Sequence, residues 1–297
     1  MTSEYIKQKA KELGATVCGI GKIYAEENIQ RDPKMILPDA KCIIGFGFAV
    51  PKGLYIAMEN GAQSYTYTTL GVKCLDEEMA EIFLLKMGAL IENEGYDACL
   101  QKPIPNLRIQ GDKTTNPEVV DTYELVHARA VEKGKPVPDV IIDFAKAAKS
   151  CGIGNVGLSG KILSPTHGPF MRYCFIITDM PLETDNELSE PICDRCGKCV
   201  AACPGKAIDE KNGIGSWQCS VYYKGAHKSN RFMTDDFLKG HPEREAIING
   251  EMRFDAESAR KIYKELNFLP NTNWGYAPCL CNKACDVACY KHLKGEL

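Results

Sequence analysis

The 297-residue chain lacks several marks that would place it in a specialised class. Its start, MTSEYIKQKAKELG, has no apolar core of signal-peptide length and no twin-arginine pair, so no secretory leader is expected. No apolar run approaches the roughly 20 residues needed to cross a bilayer. There is no solenoid-type repeat and no low-complexity tract. Charge of either sign is not in excess: the net charge is -3 and the pI about 6.0. That balance gives no electrostatic reason to expect nucleic acid or a membrane surface as partner. A cytoplasmic protein is the expectation.

What the chain does have is cysteine, fifteen in all. Without a secretory leader, metal ligation is a better reading of them than a disulfide framework. Six are scattered from Cys18 to Cys174, and nine fall between Cys193 and Cys289. The run CDRCGKCVAACP, Cys193 to Pro204, carries the C-x2-C-x2-C-x3-C-P spacing of bacterial iron–sulfur proteins. Three cysteines two residues apart can wrap one face of a four-iron cluster. The fourth lies past the turn and reaches a second cluster, and the proline after it stops the chain from continuing as helix. A second group of four is then required. Downstream stand Cys219, Cys279, Cys281, Cys285 and Cys289, five candidates for four places. The spacing assigns Cys193, Cys196, Cys199 and Cys289 to one cluster. Cys203, Cys219, Cys281 and Cys285 go to the other, with Cys279 spare or in place of Cys281. Zinc ribbons use paired C-x2-C and need only four thiolates, so zinc is the weaker reading.

Ahead of the cysteines, strand and helix signals alternate, the pattern of an α/β or α+β domain. Residues 3–13 predict an amphipathic helix stopped by Gly14, and CIIGFGFAV (42–50) a buried strand. A helix is expected over 72–94, with Leu75, Met79, Ile82, Phe83, Met87 and Leu90 inward. Another is expected over 118–132. RYCFIITD (172–179) reads as a strand. The acidic stretch 180–191 marks the boundary, giving a front domain 1–185 and a cysteine domain 186–297 with an insertion at about 222–275. Its helical part is expected from Asp255 to Leu266. The rest reads as polar surface, with His227 and His241 exposed.

GIGNVGLSGKILSPTHGPFMRYCFIITDMPLETD, followed by CDRCGKCVAACPGKAI, resembles the shared core of reductive dehalogenases and epoxyqueuosine reductases. DPKMILPDAKCIIGFGFAV and IENEGYDACLQKP resemble earlier strands of those proteins, and NKACDVACYKHL resembles the ending of their short double-cluster homologues. The resemblance implies a nitroreductase-like α/β front domain and a C-terminal ferredoxin-like domain with two [4Fe-4S] clusters. It implies a cobalamin-type cofactor reduced one electron at a time, a ferredoxin or flavodoxin as donor, and a small-molecule substrate or a corrinoid protein as acceptor. A homodimer is compatible, and a tRNA substrate is not expected, since no C-terminal extension follows. The Gly-rich stretch, which follows a predicted helix and so fails as a dinucleotide loop, becomes the corrinoid-binding candidate: Gly154, Asn155, Gly157, Ser159, Gly160, Lys161, His167 and Arg172. The proton donor has two candidates, Asp139 (or its neighbour Asp143, which also suits a helix start) and Tyr67, beside Tyr65. The GWxGK form of epoxyqueuosine reductases is replaced by NVGLSGK. An electron-transfer protein without chemistry of its own, or a corrinoid reductase serving a partner, is the alternative.

Overall fold

The computed structural model describes residues 1–102, 107–110, 123–126, 135, 139–266, 268–272 and 276–296. The architecture is mixed α/β. Two compact units are each assembled from separated stretches of chain. The first gathers 1–46, 79–152 and 173–187, and the second 47–78, 153–172 and 188–297. Aromatic and apolar side chains of 47–78 and 153–172 pack with the cysteine-rich end: Tyr55, Met58, Tyr67 and Phe170 share a core with Cys279 and Val287.

The four-stranded sheet runs in the order Val17–Lys22, Cys42–Ala49, Met171–Thr178, Ala98–Gln101. Its two central strands are near-continuous apolar runs because both faces are covered: Ile43, Ile44, Phe46, Phe175, Ile176 and Ile177 are fully buried. Ala98–Gln101 is antiparallel to its neighbour, pairing Ala98 with Thr178 and Gln101 with Phe175.

In the first unit, helix Ser3–Glu12 starts where Thr2 accepts the Tyr5 N–H and ends before Gly14, which sits at φ 101°. Helix Phe144–Ser150 starts at Asp143, whose carboxylate accepts the Ala145 and Lys146 N–H groups. It lies close on the first strand, where Gly21 leaves no room for a side chain: a Cβ there would meet Ser150 at 2.6 Å.

The helix expected over 72–94 differs in two ways. Thr69–Met79 is wound as π-helix, and Ala80–Glu92 as α-helix. The wider turns shift the phase of the inward face. Phe83, Leu84, Met87, Gly88 and Ile91 face the core, while Ile82 is 57% exposed. The helix expected over 118–132 is also corrected. Tyr123–Val126 is a strand, antiparallel to Leu107–Gln110; the rest of that span lies outside the described residues. A segment as short as YELV satisfies both periods, and strand pairing decides.

In the second unit, the stretch read as a polar insertion builds a core of its own. Tyr222, Phe237, Ile247, Phe254, Ala259 and Ile262 pack together. His227 is 3% exposed, correcting the expectation of a surface residue, while His241 is exposed. The apolar positions in this stretch are spaced too irregularly to show one face, so its polar composition concealed them. The helical part is Ala256–Ile262, closed at its start by a reciprocal Asp255–Ser258 capping box. Among the described residues no helix is long and apolar enough to cross a membrane.

Candidate metal centre

The CDRCGKCVAACP run turns tightly because two of its residues are left-handed, Arg195 at φ 59° and Gly197 at φ 75°. Asp194 braces the turn by accepting the Cys196 N–H at 3.1 Å. Helix Lys198–Ala202 begins directly after Gly197 and places Cys199 inward on its first turn. The helix Ala284–Leu293 packs along it and brings Cys289 in from ninety residues away. Cys193, Cys196, Cys199 and Cys289 thus line one hollow, with Leu158 and His292 on its wall. The Leu158 N–H points at Cys193 Sγ, 3.4 Å away.

Such crowding has an electrostatic signature. The Cys289 thiol is pushed up to about 12, first by burial and then by the neighbouring Cys199, Asp286, Cys193 and Cys196. Four thiolates cannot share one hollow without a cation among them; a bound metal reverses that repulsion and deprotonates the thiols outright.

A second group adjoins the first, Cys203 and Cys285 packing against the same small core as Cys193. Cys203 closes helix Lys198–Ala202, Cys219 lies within helix Ser216–Tyr223, Cys281 precedes the turn, and Cys285 sits in the first turn of Ala284–Leu293. Burial raises the Cys219 thiol, and Cys281 and Cys203 add to the shift. The same two cysteines help to raise Cys285, after burial and Asp286. Cys203 and Cys281 are thus electrostatic neighbours of both Cys219 and Cys285. Cys203 Sγ accepts the Ala207 N–H at 3.3 Å. Asn282 and Lys283 are both left-handed, which folds the Cys281–Cys285 loop back on itself.

Cys279 adjoins this group at Cys281 only. It is fully buried in the core containing Tyr67, Phe170 and Val287, and its sulfur lies 3.9 Å from Cys281 Sγ. Like charges at that distance in a dry site repel, so the Cys279–Cys281 pair holds one thiolate at most in the absence of a cation. The front-unit cysteines have a different character. Burial pushes Cys42 up to about 11 and Cys18 up to about 12, and raises Cys151 and Cys174 further. Burial thus disfavours their thiolate forms.

The candidate corrinoid-binding residues fall in the second unit and are engaged with protein. A Cβ on Gly157 would meet Leu163 at 2.7 Å and Cys193 Cβ at 3.5 Å; one on Gly160 would meet Ile214 at 2.7 Å. Asn155 clamps the approach to Cys193, donating to the Glu190 carbonyl and accepting the Ile192 N–H. Gly154 and Ser159 are buried. Lys161 contributes a positive charge felt by Cys219. His167 contacts Thr166 Oγ1 at 2.8 Å, and burial lowers its basicity. Arg172 grips Asp76, with Nε 2.8 Å from Oδ1 and a second contact from Nη2 to Oδ2.

The two proton-donor candidates fall in different units. Asp139 is exposed and belongs to the first unit; Asp143 there caps a helix. Tyr67 is 4% exposed in the second unit, and burial raises its hydroxyl well above the usual range. Its charged neighbours include Lys283, Asp286, Cys279 and Arg172. Lys283, with its ammonium 3.6 Å from Asp286, was visible in CNKAC as the residue between two ligand candidates. Asp76 carried no sequence signal, since its partner lies 96 residues away.

No family model matches the chain. The curated epoxyqueuosine reductase of Prochlorococcus marinus (strain NATL2A) is 36% identical over 76 residues, covering 26% of this chain and 24% of the relative. That of Cyclobacterium marinum is 32% identical over 176 residues, 50% of this chain and 55% of the relative. The matches span from about a quarter to about half of those relatives' length. Among solved structures, a catabolic reductive dehalogenase aligns with 89% of this chain and 34% of its own, at 17% identity and a TM-score of 0.51. That likeness concerns the fold. An epoxyqueuosine reductase solved with an epoxyqueuosine-modified tRNA-Tyr stem loop aligns at 14% identity and a TM-score of 0.47, over 96% of this chain and 69% of its own. This chain is thus related in sequence to the epoxyqueuosine reductases and similar in fold to a reductive dehalogenase.

Proposed function

We propose that the chain is an iron–sulfur oxidoreductase that carries two [4Fe-4S] clusters and passes single electrons through them for reductive chemistry on a small molecule. The observation that supports this reading most is the hollow lined by Cys193, Cys196, Cys199 and Cys289, with Cys203 and Cys281 coupled in charge to both Cys219 and Cys285 beside it. The donor chemistry fits: four thiols per site is the complement a four-iron cluster requires. Cys193, Cys196, Cys199 and Cys289 would hold the first cluster, and Cys203, Cys219, Cys281 and Cys285 the second. When bound, such clusters supply one-electron transfer at a potential set by their surroundings.

The chain's own contribution is to set those surroundings. The Leu158 and Ala207 N–H groups donate toward ligand sulfurs, which stabilises their negative charge. Lys283 and Lys161 add positive charge near the second set. Cys196 is exposed, whereas Cys281 and Cys285 are only partly so, which offers the first site as the outer station for a ferredoxin or flavodoxin donor.

The acceptor implied by the resemblance is a cobalamin-type cofactor on a nitroreductase-like front domain, with a ferredoxin-like domain behind it. Among the described residues the Gly-rich stretch offers that cofactor no open cradle. Gly157 and Gly160 have protein atoms where a Cβ would stand, and Asn155 and Arg172 are committed to other partners. We derive no step through a corrinoid for this reason. The same observation favours a second reading, in which the chain delivers electrons to a partner's corrinoid or other cofactor.

Anaerobic purification with iron counting, absorption and paramagnetic resonance tests the proposal, with cobalamin and a tRNA stem loop as added ligands. About eight irons per chain is the expected content. A colourless protein binding one zinc would refute it. Cobalamin retained with turnover of a halogenated or epoxide substrate would establish the catalytic reading. Clusters without cobalamin would establish the electron-transfer reading. Stem-loop binding would overturn the expectation that nucleic acid is not a partner.

A further inference from the structure

The five downstream cysteines leave one thiol outside the two sets, and its position is unlike that of the other non-ligand cysteines. Cys279 is fully buried, two residues before Cys281, with the two sulfurs 3.9 Å apart. An iron of a four-iron cluster has three sulfides and one position for a protein thiolate, so two sulfurs this close can compete for that one position without both being bound. Its surroundings favour exchange over solvent attack: Tyr67, Phe170 and Val287 pack around it and exclude water.

We propose that Cys279 is a reserve ligand for the second cluster, able to replace Cys281 on the same iron. The proposal rests on the two-cluster reading above. In the exchange, the bond from iron to Cys281 sulfur breaks and one from iron to Cys279 sulfur forms. The proton of the Cys279 thiol passes to the departing Cys281 thiolate across the sulfur–sulfur contact. No electron is gained or lost, and no further reactant is needed. Exchange of this kind keeps the cluster when oxidation or chelation attacks one ligand.

The test compares wild type, Cys279→Ala, Cys281→Ala and the double variant, purified without oxygen and analysed for iron and by paramagnetic resonance. Wild type well below eight irons would sink the two-cluster reading itself rather than this inference. Given eight, Cys279→Ala and Cys281→Ala are each expected to keep about eight irons, with an altered second-cluster signal only in Cys281→Ala. The double variant is expected to fall to about four. A fall to four in Cys281→Ala alone would overturn the reserve role, as would the same fall in Cys279→Ala, which would make Cys279 the resident ligand. Circular dichroism and melting temperature on each variant separate a loss through misfolding from a loss through ligation.

Discussion

Replacing Cys203 by alanine separates the crossed arrangement from a local one. Cys203 lies four residues from Cys199, yet its sulfur is an electrostatic neighbour of Cys219 and Cys285. The hollow lined by Cys193, Cys196 and Cys199 takes Cys289 as its fourth thiol instead. Cys203→Ala should therefore reduce iron from about eight to about four per chain, and the lost cluster should be the one held by the C-terminal cysteines. The fold should survive. The substitution leaves the buried Ala207 N–H without its sulfur acceptor, a cost of about 1 kcal/mol. That is small beside the 5–15 kcal/mol that typically holds a protein folded. Iron content, the number of reducible paramagnetic centres and far-ultraviolet circular dichroism on the same sample make the assay. Cys289→Ala is the reciprocal variant and should remove the other cluster, so the two spectra should add to that of wild type. Loss of the same cluster in both variants, or loss of the first cluster in Cys203→Ala, would refute the crossed arrangement.

Three further outcomes are expected. Burial holds the His227 imidazole neutral, lowering its pKa from 6.5 to about 4. The unfolded chain takes up that proton first, so its contribution is complete above pH 6.5 and lost as pH falls toward 4, by about 3 kcal/mol in all; the pH profile of urea unfolding for His227→Gln should lack this limb, and identical profiles would refute it. Asp76→Asn strips the carboxylate from Arg172, whose side chain is 29% exposed, and should cost about 2–3 kcal/mol, at or below the low end for buried ion pairs; a loss below 1 kcal/mol in chemical unfolding would show that the pair is solvated. Gly205→Ala should cost at least about 1–3 kcal/mol, because the new methyl would stand 2.1 Å from the buried Tyr222 ring, itself tied to the Ile247 carbonyl; an unchanged melting temperature would contradict that packing.

The gathering of Cys193, Cys196 and Cys199 into one hollow was legible in the sequence because it depends on short spacings and on a chemically distinctive residue. C-x2-C-x2-C-x3-C-P leaves few alternatives, and the same holds for the helix start at Asp255, where the cap and its partner are three residues apart. Failures occurred where the deciding contact was remote. His227 looked like a surface residue because Phe237, Ile247 and Phe254, which build the core of its segment, are scattered among charged residues. The YELV segment satisfied two periods, and only its pairing with Leu107–Gln110 settled it.

The glycines of GIGNVGLSGK mark the division most clearly. Their number announced a close backbone approach, but not to what. Tertiary structure answers with Leu163, Cys193 and Ile214 for Gly157 and Gly160. Residue type and local spacing alone carry the expectation that this chain gathers thiols for metal. That Cys289 shares a hollow with Cys193, Cys196 and Cys199, and that Arg172 is spent on Asp76, were decided by packing across long separations. Sequence spacing constrains neighbours along the chain, whereas burial and charge pairing act on neighbours in space.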